Sequence, residues 1–261
     1  MNTSPLHGVV SPPDDSWSPE RLAPLQKTFA DAPPQAVLTW AFRTFTPQIC
    51  LATSFGPQSI VLMHLISELA PETTVFYLDT ELLFLETYTL RAQLEQLLGI
   101  GIVRVTPQLS VEDQARLHDP ELWARRPDRC CELRKVLPLR RFLEDQRAWI
   151  TGVRRDAGPA RQAAQLVEWD HANGLVKLNP LVDWSKERVW DYLRRHDLPT
   201  NVLHGRGYPS IGCRPCTRPV REGEDERSGR WVGFEKTECG IHRWPSEAGK
   251  TAQAAAPRER R

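Results

Sequence analysis

The chain has 261 residues, 34 of them basic and 33 acidic, for a formal net charge of +1; it lacks the global positive field that gathers nucleic acid nonspecifically, so no nucleic-acid ligand is expected. At 40% hydrophobic and 26% charged residues the composition is globular, and a chain this long hides roughly three quarters of its unfolded surface, in one domain or one domain with a small appendage. The longest apolar stretch, 59–66, is far short of the roughly 20 residues that cross a bilayer, so no membrane-spanning helix is expected.

The opening Met1-Asn2-Thr3-Ser4-Pro5 has neither the basic start nor the apolar core of a secretory signal, which points to a cytoplasmic protein. Seven of the 22 prolines fall in the first 34 residues, predicting an arm that is irregular or wraps the surface before a helix over 35–45. Residues 1–48 are accordingly set apart from a folded domain over 49–242. Within that domain 49–53 reads as a strand, Ser54-Phe55-Gly56-Pro57 as a tight loop and 58–69 as a helix. A second strand over 74–78 ends at Asp79-Thr80, a helix follows over 83–98, and 102–105 reads as a third strand. Further helices are predicted over 132–144 and 186–196, with a strand over 148–152. Alternating strands and helices imply an α/β fold, a mainly parallel sheet flanked by helices. From Pro199 to Arg230 the chain is dense in Gly, Pro and charge and reads as a functional loop region, while 243–261 has the composition of a disordered tail.

Three features carry chemistry. Ser54-Phe55-Gly56-Pro57-Gln58-Ser59 lies where a strand meets a helix, where free amides and the helix dipole attract phosphate; it has neither a Walker A ending nor three dinucleotide-binding glycines, and a plain turn is the competing reading. Asp79 and Thr80, at the next strand end, suit a nucleotide's sugar or base, or else cap the following helix. The cysteines are the strongest signal. In a reducing compartment the six thiols are better read as metal ligands, nucleophiles or buried side chains than as disulfides. Cys130-Cys131 and Cys213-Arg214-Pro215-Cys216 supply four thiols. Adjacent cysteines point in divergent directions and fit a [4Fe-4S] cluster more easily than a zinc ion, which stays the alternative. Cys239, in Glu238-Cys239-Gly240-Ile241-His242, is a candidate nucleophile or a surface thiol, and His242 a group that favours its thiolate or binds anions. Cys50 lies in an apolar strand and reads as core. Lys135, Arg154, Arg155, Arg161, Arg227 and Arg230 recur around the cysteine motifs and suit a compact polyanion.

From Ile49 to His242 the sequence resembles the assimilatory, thioredoxin-dependent adenylyl-sulfate and phosphoadenylyl-sulfate reductases. The resemblance is carried by the Ser-Phe-Gly loop, Leu78-Asp79-Thr80, Cys130-Cys131-Glu132-Leu133-Arg134-Lys135, Thr151-Gly152-Val153-Arg154-Arg155-Asp156, Ile211-Gly212-Cys213-Arg214-Pro215-Cys216 and the Glu-Cys-Gly-Ile-His segment. It implies a Rossmann-like fold of the adenine nucleotide alpha hydrolase type with a C-terminal catalytic segment. The paired cysteines resemble the cluster-containing branch, which acts chiefly on adenylyl sulfate; the 3′-phosphorylated form is the alternative substrate. By this resemblance Cys239 attacks the substrate sulfur, Cys130, Cys131, Cys213 and Cys216 hold the cluster, and Ser54, Phe55, Gly56, Asp79, Thr80, Lys135, Arg161, Arg227, Arg230 and His242 bind substrate. Thioredoxin or glutaredoxin would supply the reducing dithiol, and a homo-oligomer is left open. The chain departs from many relatives in having Ala157-Gly158 for Gln-Ser, Glu81 for Gly, and 19 residues after His242. An RNA-directed, ATP-dependent sulfurtransferase and a noncatalytic metal module are the rival readings; the first expects Ser-Gly-Gly-x-Asp-Ser where this chain has Ser54-Phe55-Gly56-Pro57-Gln58-Ser59, and the second leaves Cys239 and the arginines unused.

Overall fold

The computed structural model describes residues 17–242. The expected irregularity of residues 1–16 and disorder of 243–261 lie outside the described residues. Between them the chain runs in the order α1 (Pro19–Thr28), α2 (Pro34–Phe45), β1 (Ile49–Thr53), α3 (Pro57–Leu69), β2 (Thr74–Leu78), α4 (Leu85–Leu98), β3 (Ile102–Val105), α5 (Val111–Leu117), α6 (Leu122–Arg125), α7 (Pro127–Cys131), α8 (Leu137–Leu143), β4 (Ala148–Ile150), β5 (Val167–Asp170), β6 (Leu175–Leu178) and α9 (Lys186–Arg195).

The strands form a six-stranded sheet in the order β3-β2-β1-β4-β6-β5. Every pairing is parallel except β5 with β6, a hairpin at one edge. Because β1 is flanked by β2 on one side and β4 on the other, the order reverses there, and the carboxyl ends of β1 and β4 open a crevice at a topological switch point. The apolar runs of the central strands follow from burial on both faces. Leu51 and Ile49 pack into the larger core with Ile60, Leu62, Met63 and Leu65 of α3, while Cys50, Phe76 and Trp149 join a second cluster with Leu139 and Leu143 of α8. Each such side chain contributes roughly 1.5–3 kcal/mol on full burial. Cys50 is fully buried, and that burial pushes its thiol well above the ordinary range.

The arm before α2 is not irregular throughout. Pro19 and Pro34 occupy the first turns of α1 and α2, where a missing N–H costs nothing. Leu22, Leu25 and Phe29 then enter the same core as the sheet. The helix expected over 132–144 is one continuous column from α7 through α8, interrupted by a π-helical turn over Glu132–Val136. After α9 the chain to His242 is loop with short 3-10 turns. Among the described residues no helix is long and apolar enough to cross a membrane.

Candidate active site

The crevice at the switch point is floored by the exits of β1 and β4. Phe55, two residues past the end of β1, has φ +57°, a left-handed backbone that is costly for an aromatic residue. It is held by the Phe55 N–H donating to Thr53 Oγ1 at 3.0 Å and by ring packing on Tyr77 at 5.3 Å. The turn aims Ser54, Gly56 and the amino end of α3 into the cleft, beside Gln58 and Ser59. After β4, Gly152 runs against α3 so closely that a Cβ there would sit 3.1 Å from Gln58 Cβ and 3.3 Å from the Ser59 nitrogen.

The opposite wall comes from the late loops and carries the charge. Arg161, Arg227, Arg230, Lys135, Cys239 and His242 all line the cleft. Burial brings the Arg227 guanidinium down to about 10, against the pull of Glu238, so it remains charged at neutral pH. Arg230 donates from Nη1 to Ser210 Oγ at 3.1 Å, lies 4.6 Å from the Trp231 ring centroid and rests on Gly212. A Cβ at Gly212 would fall 2.1 Å from Arg230 Nη2. Gly212→Ala should therefore displace the guanidinium and lower kcat/KM roughly 10–100-fold, with little change in the unfolding midpoint because only the far end of a flexible side chain has to move. Steady-state kinetics beside a urea titration checks both.

Cys239 is half-buried, and its segment is docked by contacts on either side. Lys236 pairs with Asp128 of α7, Glu238 with Arg161 and Arg227, and Ile241 packs into the cluster around Trp149. The His242 ring stacks on Trp149 with centroids 5.6 Å apart and planes 19° from parallel. Burial, and after it the charges of Lys177, Arg161 and Arg227, holds the His242 imidazole well below its ordinary range, so it is neutral at neutral pH. Positive charge beside Cys239 thus comes from Lys135 and the arginines rather than from His242.

Lys135 lies on the π-helical turn, one of the sites where such turns re-aim side chains. Burial disfavours its charge, but the neighbouring Cys213, Cys239 and Cys131 sulfurs more than restore it, leaving the ammonium raised above its ordinary range. Just before it, Arg134 is 1% exposed and donates to the Thr80 carbonyl at 2.6 Å, the Leu109 carbonyl at 3.2 Å and Glu81 Oε2 at 2.6 Å. Glu81 itself has φ +57°. The strain that glycine would avoid there is offset by its N–H donating to Asp79 Oδ1 at 2.8 Å and by the Arg134 pair.

Asp79 and Thr80 do not face the cleft, contrary to expectation. Asp79 is 1% exposed, accepts from Tyr88 Oη at 2.6 Å and from Arg104 Nε at 2.5 Å, and so ties β2 to α4 and β3. Thr80 Oγ1 lies 3.2 Å from Cys213 Sγ and belongs to the cysteine pocket's surroundings. Arg154 and Arg155 also point elsewhere, to Asp156 and Asp183. In the Ala157-Gly158 pair that follows, Gly158 adopts φ +136°.

Cys130 and Cys131 close α7, and Cys213 and Cys216 bracket a 3-10 turn over Arg214–Cys216. The four line one small pocket with Leu82, Pro127, Arg134, Lys135 and Trp231. Lys135 and Trp231 form walls of both this pocket and the large cleft. Burial, and then mutual repulsion, pushes Cys130 up to about 11 and Cys216 up to about 12. Four clustered thiols with no carboxylate among the residues lining their pocket fit a thiophilic metal group, whose charge would draw off those protons. Among the described residues no three His, Cys, Asp or Glu side chains converge as a single ion would require.

Glu238, Trp149, Gly212 and Trp231 also line the cleft, although the sequence assigns them no role. Glu238 and Gly212 were visible as immediate neighbours of singled-out cysteines; the two tryptophans carried no signal beyond their size.

Comparison with known proteins identifies the family. The model of the phosphoadenosine phosphosulfate reductase domain matches residues 48–219. A protein of Salinibacter ruber named adenosine 5′-phosphosulfate reductase is 50% identical over 232 residues, covering 88% of this chain and 92% of its own. One of the same name from a Geobacillus strain is 48% identical, covering 79% and 88%. Among solved structures, a phosphoadenylyl-sulfate reductase from Candida auris, in a phosphate complex, superposes with a TM-score of 0.69 at 31% identity, over 78% of this chain and 98% of that one. An FMN adenylyltransferase from Candida glabrata shares the fold at 16% identity and a TM-score of 0.52, over 83% of this chain and 73% of its own. Running from residue 48 to 219, through the β1 turn and both cysteine pairs, the family match, with the 50% identical relative, shows that the chain belongs to the phosphoadenosine phosphosulfate reductase family.

Proposed function

We propose that this protein reduces adenosine 5′-phosphosulfate to sulfite and AMP, in assimilatory sulfate reduction toward cysteine, with Cys239 as nucleophile. The observation that carries the reading is that Cys239 shares one cleft with the β1 turn, Lys135 and the arginines Arg161, Arg227 and Arg230. The 50% and 48% identical relatives named for adenosine 5′-phosphosulfate favour that substrate over its 3′-phosphorylated form.

In this mechanism the β1 turn and the amino end of α3 receive the nucleotide, and the cations hold its phosphosulfate. The Cys239 thiolate attacks the sulfate sulfur; an S–S bond forms, the bond from sulfur to the phosphate oxygen breaks, and its electron pair leaves with AMP. Lys135 and the arginines stabilise the charge moving onto that oxygen. A dithiol of the thioredoxin or glutaredoxin type then takes up the Cys239 sulfur, releasing sulfite, and its second thiol restores Cys239, so that both electrons come from the dithiol. Cys130, Cys131, Cys213 and Cys216 hold a [4Fe-4S] cluster in this reading. When bound, the cluster would supply local charge and hold the end of α7 and the Arg214–Cys216 turn together beside Lys135. We place the protein in the cytoplasm, where such dithiols are kept reduced.

Adenosine 5′-phosphosulfate added to the anaerobically purified protein without any thiol should leave one sulfonate on Cys239, read by intact and peptide mass. Labelling by the 3′-phosphorylated nucleotide alone would correct the substrate, and labelling by neither would end the reductase reading.

A further inference from the structure

The arginines of the cleft hold a carboxylate of the chain itself. Arg161 donates from Nε to Glu238 Oε1 at 2.8 Å and from Nη2 to Oε2 at 3.2 Å, a two-pronged contact. Arg227 Nη2 reaches the same Oε2 at 3.2 Å. The Glu238 side chain is 11% exposed and that of Arg161 15%, so this is an interior contact rather than a rim salt bridge. A planar carboxylate and a sulfate or phosphate group offer the guanidinium fork the same anionic oxygens. Both anions cannot occupy the pair together, because like charges a few ångströms apart repel strongly where solvent is scarce.

We propose that Glu238 is a built-in competitor for the sulfonucleotide: its carboxylate occupies Arg161 and Arg227 until the substrate's phosphosulfate displaces it. The inference rests on the reading of the cleft given above. Glu238 is the partner that yields, because it sits on the terminal segment, two residues before Gly240 at φ +87°. Its release frees only the middle of that segment. The Lys236–Asp128 pair on one side and the His242–Trp149 stack on the other keep Cys239 at the cleft. The Arg161 and Arg227 cations therefore stay charge-matched both before and after binding, and the measured affinity for substrate is lowered by the fraction of molecules in which Glu238 holds them.

The test is calorimetric titration of the cluster-loaded holoenzyme carrying Cys239→Ser, which prevents turnover, with and without Glu238→Gln. Adenosine 5′-phosphosulfate should bind about tenfold more tightly after Glu238→Gln, stay within about twofold after Glu238→Asp, and adenosine, which has no anionic group, should bind equally in all three. Weaker or unchanged binding of the sulfonucleotide after Glu238→Gln overturns the proposal and makes Glu238 a support for the arginines instead. Equal gains for adenosine would also overturn it, by showing a general loosening of the cleft. Failure of the Cys239→Ser protein with Glu238 intact to bind the sulfonucleotide at all would remove the reading of the cleft, and this inference with it.

Discussion

Cys239→Ser is expected to lower turnover of adenosine 5′-phosphosulfate about 10⁴-fold or more, and to abolish the sulfonate adduct expected by mass in the unchanged protein. The reason is the difference between the two nucleophiles. Any thiol gives up its proton far more readily than a serine hydroxyl, and a thiolate is polarisable enough to attack sulfur, while Lys135, Arg161, Arg227 and Arg230 line the same cleft and face the charge that leaves with the nucleotide. His242 does not rescue serine as a charged partner, since burial and the surrounding cations keep its ring neutral. The substitution should leave metal content and the visible spectrum unchanged, because Cys239 stands apart from the pocket lined by Cys130, Cys131, Cys213 and Cys216. Turnover persisting within tenfold of the unchanged protein would remove Cys239 from the chemistry.

The central sheet was legible because burial on both faces writes itself as apolar runs. Val75, Phe76 and Tyr77 of β2 and the β1 residues Ile49 to Leu51 are all buried, and their runs end at turn residues. The β5–β6 hairpin was not read, although Asn173-Gly174 announces it: Gly174 takes φ +71° and Asp170 accepts the Ala172 and Asn173 amides. Val-Glu-Trp-Asp is too short and too polar an edge strand to stand out by periodicity. In the helical column around Lys135, the apolar pattern could not reveal a π turn, since one extra residue per turn shifts side chains without changing composition. Of the residues the sequence assigns to substrate, all but Asp79 and Thr80 line the cleft, whereas the residues that position them carry no such signal. Asp79 was rightly seen at a strand end, but its partner Arg104 comes from β3, whose distance along the chain hides the contact. Glu238 has no distinguishing sequence signal of its own; its meaning appears only when Arg161 and Arg227 meet it in space.

Cys213→Ser tests the cysteine pocket most sharply, because Cys213 is anchored from several directions. Its backbone pairs with Leu83, the Arg214 amide donates to the Leu82 carbonyl at 2.7 Å, and its Sγ lies 3.2 Å from Thr80 Oγ1. These contacts fix where the sulfur points, so a substituted side chain cannot swing to compensate. Serine is a harder donor with a far higher pKa than a thiol, poorly matched to iron or zinc. The unchanged protein, purified without oxygen, should carry iron and acid-labile sulfide in equal amounts, and Cys213→Ser should lose most of both together with the visible absorbance. Cys50→Ala, which removes a buried thiol on the sheet far from any role in that pocket, should keep them; its cost would fall on stability alone. Zinc in place of iron in the unchanged protein would overturn the cluster while leaving the ligand set standing. Because Lys135 and Trp231 wall both pockets, loss of the metal group should also loosen sulfonucleotide binding, and a Cys213→Ser protein that lost its iron yet bound the nucleotide unchanged would show that the cysteine pocket and the cleft are mechanically independent.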